Sequence, residues 1–124
     1  MFKNIVGKKI LVTGHTGFKG SWLVAFLSQF NTKIIGISLK SKKKTHFDYF
    51  KKIKIFKDYR FDIRQKKLLK KIISRHKPQI IFHLAAQSLV SNSYTDPIKT
   101  WETNLIGTIN ILDILKKTKH TCQV

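Results

Sequence analysis

Hydrophobic residues occur along this chain in two kinds of run: short β-branched runs and longer runs with helical spacing. The short runs are typical of strands that are buried on both faces, as in a parallel sheet. They predict strands at residues 9–13, 33–39 and 79–86, a weaker strand within 53–61, and the opening of a fifth strand at 121–124.

The longer runs repeat apolar residues three and four positions apart and predict helices between the strands. We expect helices over 18–30 and 64–76, and a third that begins at the Asp96-Pro97 cap and continues to residue 117. A further helical turn is expected at 47–50. In the first helix the apolar stripe expected to face inward consists of Trp22, Leu23, Phe26, Leu27 and Phe30.

Strands that alternate with helices at this rhythm indicate βαβ units around a parallel sheet. We therefore predict an α/β fold with one doubly wound parallel sheet in the order 3-2-1-4-5, of which residues 1–124 supply strands 1–4 and the start of strand 5. The strand at 79–86 then has only residues 121–124 beside it. Self-association through this apolar edge is expected.

Three glycines follow the first strand in "ILVTGHTGFKGSWLVAFL", residues 10–27. Gly14 permits a tight turn, Gly17 lets a ligand's phosphates approach the backbone, and Gly20 lets the next helix pack closely on the strand. The N-terminus of that helix faces the phosphates. The spacing differs from G-x-G-x-x-G, and the Gly-Lys-Ser/Thr ending of a P-loop is absent. A purely structural turn is the alternative.

The chain is strongly basic, with 25 Lys and Arg, 6 Asp and Glu, and a net charge of +19. Three of the basic residues are arginines, the side chain that phosphate and base readers favour. We interpret the lysines as a solvated surface and expect any nucleic-acid binding to be independent of sequence. A polyanion-binding module is the alternative.

Neither a membrane span nor a metal site is predicted. No apolar stretch reaches the length needed to cross a bilayer, and a single cysteine excludes an intramolecular disulfide and an all-cysteine metal cage. The N-terminus has no signal-peptide pattern. We expect a cytoplasmic protein.

Three motifs carry a resemblance to a known family: "TGHTGFKGSWL" (13–23), "FDIRQ" (61–65) and "FHLAAQSLVSNSYTDPIKTWETNLIGTINIL" (82–112). In order and spacing they resemble the extended short-chain dehydrogenase/reductase family, which includes the NAD-dependent epimerases and dehydratases. Within it they are most similar to the CDP-glucose 4,6-dehydratase group. The resemblance covers nearly the whole chain and implies a Rossmann fold.

The resemblance also implies a cofactor site. Along the pyrophosphate it places Gly14, Gly17, Phe18, Lys19 and Gly20. It gives Asp62 to the adenine amino group and Ile63 to the ring, although a strand-end turn residue is the alternative for Asp62. Around the ribose and nicotinamide it places Leu84, Ala85, Ala86, Gln87, Thr103 and Asn104.

For the sugar nucleotide, the resemblance implies first contacts at Ser88 and Tyr94. His83 is expected to be a packed strand histidine. The end of the second strand lacks the carboxylate that usually selects NAD, since "ISLKSKKK" offers Ser38 and Lys40. NAD is implied by the resemblance, and NADP stays open.

The family's chemistry uses a Tyr-x-x-x-Lys pair as acid and base. Here Tyr49, Tyr59 and Tyr94 are each followed four residues later by isoleucine. The resemblance thus implies the truncated cofactor-binding part of an NDP-sugar 4,6-dehydratase, without catalytic residues and inactive alone. In such enzymes CDP-glucose becomes CDP-4-dehydro-6-deoxyglucose and water. Part of another NDP-sugar epimerase or dehydratase is the alternative within the family.

Overall fold

Four parallel strands form the centre of the computed structural model, which describes residues 4–41, 43–50, 53–118 and 121–124. The strands are β1 (Lys9–Thr13), β2 (Lys33–Ser38), β3 (Lys57–Arg60) and β4 (Ile80–His83). They lie in the order β3-β2-β1-β4, and every pair is parallel. This confirms the predicted fold class and the order of the first four strands.

Residues 121–124 lie beside β4, as predicted for the start of a fifth strand. Gln123 forms an isolated parallel bridge with Ile80. The Ile81 amide donates to the Gln123 carbonyl at 2.8 Å, and the Gln123 amide donates to the Gln79 carbonyl at 3.1 Å. The outer edge of β4 is therefore paired at this position.

The helices are shorter and more numerous than predicted. They are α1 (Phe18–Leu27), α2 (Lys66–His76), α3 (Val90–Thr95), α4 (Pro97–Trp101) and α5 (Gly107–Lys117), with a 3₁₀ turn at His46–Tyr49 and a π turn at Glu102–Ile106. The predicted end of the first helix at residue 30 is wrong by three residues. The single helix expected over 96–117 is divided by the π turn, and α3 was not predicted.

The inward stripe predicted for α1 is wrong in part. The side of α1 that faces the sheet carries Gly20, Ser21, Val24 and Leu27, because the helix lies so close to β1 that only small side chains fit near its start. Trp22 is 57% exposed and packs edge-on against Phe50, with ring centroids 5.0 Å apart. Helical spacing alone did not distinguish the side of α1 that packs on the sheet from the adjacent side that carries Trp22.

Two apolar cores cover the two faces of the sheet. Alternate residues of β1 point to opposite sides, since Leu11 belongs to one core and both Ile10 and Val12 belong to the other. The first core is closed by α2 and α5, and the second by α1. Helices on both faces leave the carboxyl ends of the strands open at one edge. Among the described residues, no helix combines the length and apolar character needed to cross a membrane.

Candidate functional site: a cleft at the carboxyl ends of the strands

The turn after β1 is built by glycine. Gly14 has φ +72°, and its amide donates to the Ile37 carbonyl at 2.7 Å. A Cβ added to Gly14 would lie 2.7 Å from the Ala85 amide nitrogen and 2.8 Å from the Leu84 carbonyl oxygen. A Cβ on Gly20 would collide with the Gly14 carbonyl. These two glycines hold the turn against both the following helix and the loop after β4.

Gly17 differs from the other two glycines. Its φ of −69° and ψ of 171° suit any residue, and an added Cβ would meet only the Gly14 carbonyl oxygen, at 3.3 Å. Gly17 precedes the first residue of α1 and provides no side-chain cap. The first-turn N–H groups of α1, which have no intrahelical acceptor, are therefore left for a ligand.

The turn opens into a cleft of about 760 Å³ between the ends of the strands. This volume is in the range of small-molecule and cofactor sites, roughly 300–1,000 Å³. The sequence-predicted cofactor residues that line it are Gly14, Gly17, Phe18, Lys19, Gly20, Asp62, Ile63, Leu84, Ala85, Ala86, Thr103 and Asn104. Ser88 also lines it. Gln87 does not line it, and neither does Tyr94, which is 84% exposed.

Asp62 follows β3 and is oriented by Arg64. The Arg64 amide donates to Asp62 Oδ1 at 2.9 Å, and the guanidinium reaches both carboxylate oxygens, with Nη2 2.8 Å from Oδ2. Arg64 Nη1 also donates to Glu102 Oε2 at 2.6 Å. These hydrogen bonds from Arg64 lower the pKa of Asp62 below its usual value. Asp62 is thus a fixed, ionised acceptor at the wall of the cleft.

The loop after β4 is tied to the end of β1 through Thr13. Thr13 Oγ1 accepts the amides of Leu84 and Ala85 at 3.1 and 3.2 Å and lies 2.7 Å from His83 Nδ1. With both lone pairs in use, the hydroxyl donates its proton to Nδ1. The predicted strand 79–86 therefore ends at His83, and small residues follow it into the cleft.

His83 links this loop to the last helix. Its Nε2 lies 3.0 Å from Thr108 Oγ1, and Thr108 Oγ1 donates to the Asn104 carbonyl at 2.6 Å. Because Nδ1 accepts from Thr13, the proton of the neutral ring is on Nε2 and is donated to Thr108. Burial lowers the pKa of His83 and favours this neutral form. His83 is thus half-buried and hydrogen-bonded at both ring nitrogens, as expected of a packed strand histidine, and it also lines the cleft.

Asn104 and Gln87 join the π turn to the loop after β4. The Gln87 amide donates to Asn104 Oδ1 at 2.8 Å, and Asn104 Nδ2 donates to the Gln87 carbonyl at 3.1 Å. The Gln87 side chain turns away to Leu89 and Thr100. Gln87 therefore acts on the cleft indirectly, because its backbone holds the side chain of Asn104, which lines the cleft. A π turn in a helix is often found at functional sites.

Sequence reasoning missed several polar residues of the cleft. Thr13, Thr16, Ser41 and Thr108 were not predicted, although Thr16, Ser41 and Thr108 line the cleft and Thr13 organises one wall. For Thr13, Thr16 and Ser41 the available signal was position, because hydroxyl side chains at or just after the carboxyl ends of parallel strands meet at one edge of the sheet. Thr108 lies in α5, where the sequence gives no such signal.

His15, inside the glycine turn, is a structural residue. Its side chain is fully buried against Gly36, and a Cβ there would lie 2.7 Å from the ring. His15 Nε2 lies 3.1 Å from Asp58 Oδ1, in a poorly aligned contact. Burial lowers the pKa of His15, and Asp58 opposes the shift. This packing joins the turn to β2 and β3.

A parallel sheet covered on both faces, with a glycine turn and helix N-terminus at its open edge, defines a Rossmann-type dinucleotide-binding domain. The sequence model of the GDP-mannose 4,6 dehydratase family matches residues 11–124. The chain belongs to this family.

Relatives and solved structures agree with this assignment. The chain is 39% identical over 112 residues to CDP-glucose 4,6-dehydratase of Salmonella typhimurium, covering 90% of the chain and 31% of that protein. An epimerase of Methanothermobacter thermautotrophicus superposes with a TM-score of 0.83 at 27% identity, over 95% of the chain and 34% of the epimerase.

A UDP-glucose 4-epimerase of Thermus thermophilus, solved in complex with NAD, superposes with a TM-score of 0.75 at 28% identity. The match covers 88% of this chain and 34% of the epimerase. The chain thus spans about a third of the length of the relatives it matches.

Proposed function

We propose that residues 1–124 form the cofactor-binding domain of a nucleotide-sugar 4,6-dehydratase of the CDP-glucose type, and that NAD is the dinucleotide it binds. The observation that carries the proposal is the glycine turn opening into the cleft. Support for the CDP-glucose type comes from the 39% identity to the Salmonella enzyme. Support for NAD comes from the Thermus epimerase, which was solved in complex with NAD.

The residues of the cleft fit a dinucleotide. Gly17 and the start of α1 hold the pyrophosphate, with Lys19 adding positive charge beside it. Asp62, fixed by Arg64, accepts the adenine amino group while Ile63 packs against the ring. A carboxylate with a lowered pKa stays an acceptor at neutral pH.

At the other end of the cleft, Ala85 and Ala86 leave room for the nicotinamide ribose. Thr103 and Asn104 line the same cleft on the π turn, and Ser88, which also lines it, is proposed as a first contact of the sugar nucleotide. When bound, NAD supplies the hydride acceptor for oxidation at the sugar. Tyr94 is proposed as a second contact of the sugar nucleotide, outside the cleft that binds the dinucleotide. A cytoplasmic location of the protein stays a prediction.

The test is a calorimetric titration with NAD of the wild-type chain and of Gly17→Val. Valine at Gly17 meets no backbone strain in its own conformation, but its methyl groups occupy the space of the phosphates. We expect a loss of at least tenfold in affinity. Gln29→Val, which introduces the same side chain at an exposed position beyond the far end of α1, is the control. Equal affinity in all three proteins would overturn the proposed site.

Part of another NDP-sugar epimerase or dehydratase remains the second candidate, because the Methanothermobacter and Thermus structures are epimerases. The same titration distinguishes the proposed cofactor domain from a polyanion-binding module, because such a module needs no affinity for NAD.

A further inference from the structure

One side of α1 carries a row of exposed aromatic rings. Phe18, Trp22 and Phe26, here called the aromatic row, are 62%, 57% and 40% exposed. Residues four apart lie on the same side of a helix, about 6 Å apart along its axis, so the three rings form a line. Val24 and Leu27, on another side of α1, pack into the core against the sheet. Exposed apolar surface that is grouped in this way marks a candidate binding surface.

The segment between β2 and β3 restricts the rings of the aromatic row without burying them. The His46 ring packs edge-on against Phe18, with ring centroids 4.9 Å apart, and the Phe50 ring packs edge-on against Trp22 at 5.0 Å. More than half of the Phe18 and Trp22 surfaces stays exposed beside these partners. Rings that are already oriented lose less conformational entropy when a flat ligand stacks on them.

The same segment surrounds the aromatic row with positive charge. Residues 40–57 contain eight lysines and one acidic residue, Asp48, and residues 1–47 contain no Asp or Glu. Lys43 and Lys44 are exposed and lie just before the 3₁₀ turn that packs on α1. The Asp48 carboxylate is engaged as the cap of that turn. Aromatic and basic side chains are therefore combined on this side of the protein.

The lysines of α2 lack this combination. Lys67, Lys70 and Lys71 are exposed on α2, but the sequence of α2 contains no Phe, Tyr or Trp. Lys66 of the same helix pairs with Asp113 at 2.8 Å. The two lysine-rich surfaces thus differ in chemistry, and α2 supplies a control for the effect of charge alone.

Exposed rings beside a lysine-rich segment match the chemistry of single-stranded nucleic acid, whose bases stack on aromatic rings while its phosphates contact cations. We propose that the aromatic row and segment 40–57 bind single-stranded nucleic acid without preference for its sequence. Trp22, at the centre of the row, provides the main stacking contact. A duplex has no free base faces along its length, so it binds through charge alone. Trp22 and Phe26 do not line the dinucleotide cleft, so the inference goes beyond the proposed function.

A membrane surface fits this side of α1 less well. A helix that lies in a membrane interface buries a broad apolar face among the lipids. In α1 the residues Val24 and Leu27 are already packed against the sheet. What remains for a partner is one line of rings flanked by lysines, which suits a chain of stacked bases and phosphates.

The test uses fluorescence anisotropy of the full chain with labelled single strands and duplexes of about 12 nucleotides at about 0.05 M salt. Strands of thymine and of adenine should bind within about fivefold of each other. Trp22→Ala should weaken strand binding by about fivefold to a hundredfold, the range for loss of one base–aromatic stack, and duplex binding by less than about twofold. Trp101→Ala is the matched control, because Trp101 is 67% exposed on α4, outside the aromatic row.

Charge is tested by a second pair of variants. Lys44→Glu and Lys70→Glu make the same change in charge at two exposed positions, one in segment 40–57 and one on α2. Lys44→Glu should weaken strand binding by at least about threefold more than Lys70→Glu, because its lysine lies beside the rings. Equal effects of the two variants would overturn the proposed location.

Intrinsic fluorescence separates stacking from folding. The chain has two tryptophans, so Trp101→Phe leaves Trp22 as the sole reporter, and the single strand should quench its emission. Trp22→Phe keeps a ring against Phe50 and should keep most of the affinity even if Trp22→Ala melts earlier. In Trp22→Phe the emission of Trp101 should not respond to the strand.

Four results would overturn the inference. Trp22→Ala could weaken strand and duplex equally, or Trp101→Ala could weaken the strand as much as Trp22→Ala does, and either result would leave a general effect of charge. Displacement of the strand by NAD would place the strand in the dinucleotide cleft. A response of Trp22 to phosphatidylserine vesicles and none to single strands would identify a membrane surface as the partner.

Discussion

The three glycines of the turn should separate folding from binding when each is changed to alanine. At Gly14 the left-handed φ costs an alanine about 1–2 kcal/mol, and a Cβ 2.7 Å from the Ala85 amide adds the overpacking cost of about 1–3 kcal/mol. Gly14→Ala should therefore lower the free energy of unfolding by about 2–5 kcal/mol. Gly20→Ala should lower it comparably, because its Cβ meets the Gly14 carbonyl.

Gly17→Ala is the contrasting change. Its backbone is compatible with alanine, which gains about 0.4–1 kcal/mol through the unfolded state, and the 3.3 Å contact offsets part of that gain. The free energy of unfolding should change by less than about 1 kcal/mol. Urea denaturation followed by circular dichroism at 222 nm measures all three. An equal loss in the three variants would refute the division of roles between turn and phosphate contact.

Four further predictions concern charge and chemistry. Arg64→Ala should raise the pKa of Asp62, because the hydrogen bonds that lower it are lost. A carbon-13 NMR titration of the Asp62 carboxyl measures this pKa, and an unchanged value would contradict the role given to Arg64. Since the folded-state pKa of Asp62 is lowered, its contribution to stability is present above the unfolded pKa and should disappear as pH falls through the folded value. Any binding of nucleic acid, measured by fluorescence anisotropy, should be independent of the nucleotide sequence and should collapse between low and physiological salt. A preference for one nucleotide sequence that persists near 0.2 M salt would favour the binding-module alternative. The 124-residue chain should not convert CDP-glucose with NAD, because it has no Tyr-x-x-x-Lys pair. The 4-keto-6-deoxy product is detected by its ultraviolet absorbance in alkali. Product above the no-enzyme control would contradict this prediction.

The sheet could be predicted from the sequence because strands buried on both faces have a strong local signature. The segments "KILVT" and "KIIGIS" carry apolar residues on both faces of the strand. Because they alternate with helices, they predict a parallel sheet. The glycine spacing then located the turn. Backbone geometry confirms that Gly14 needs its positive φ.

Features that depend on side-chain contacts between distant segments could not be predicted. The hydrogen bonds from the loop after β4 to Thr13 join residues about 70 positions apart, and no local sequence pattern predicts them. Trp22 was assigned to the core because spacing reports a face of the helix, whereas the closeness of α1 to β1 decides which residues fit. Likewise, the register of β2 against β3 pairs Ser38 with Arg60 and brings Arg60 Nη1 to 3.2 Å from Ser38 Oγ, a contact between segments 22 positions apart.

The cleft is proposed to bind a dinucleotide along the glycine turn. Two-dimensional ¹H–¹⁵N NMR of the chain, titrated with NAD, tests it directly. We predict that the amide signals that shift belong to the turn from Gly14 to Gly20, to Asp62 and Ile63, and to Ala85 and Ala86. Shifts confined to the lysine-rich surface of α2, or no shift at millimolar NAD, would contradict dinucleotide binding in this cleft.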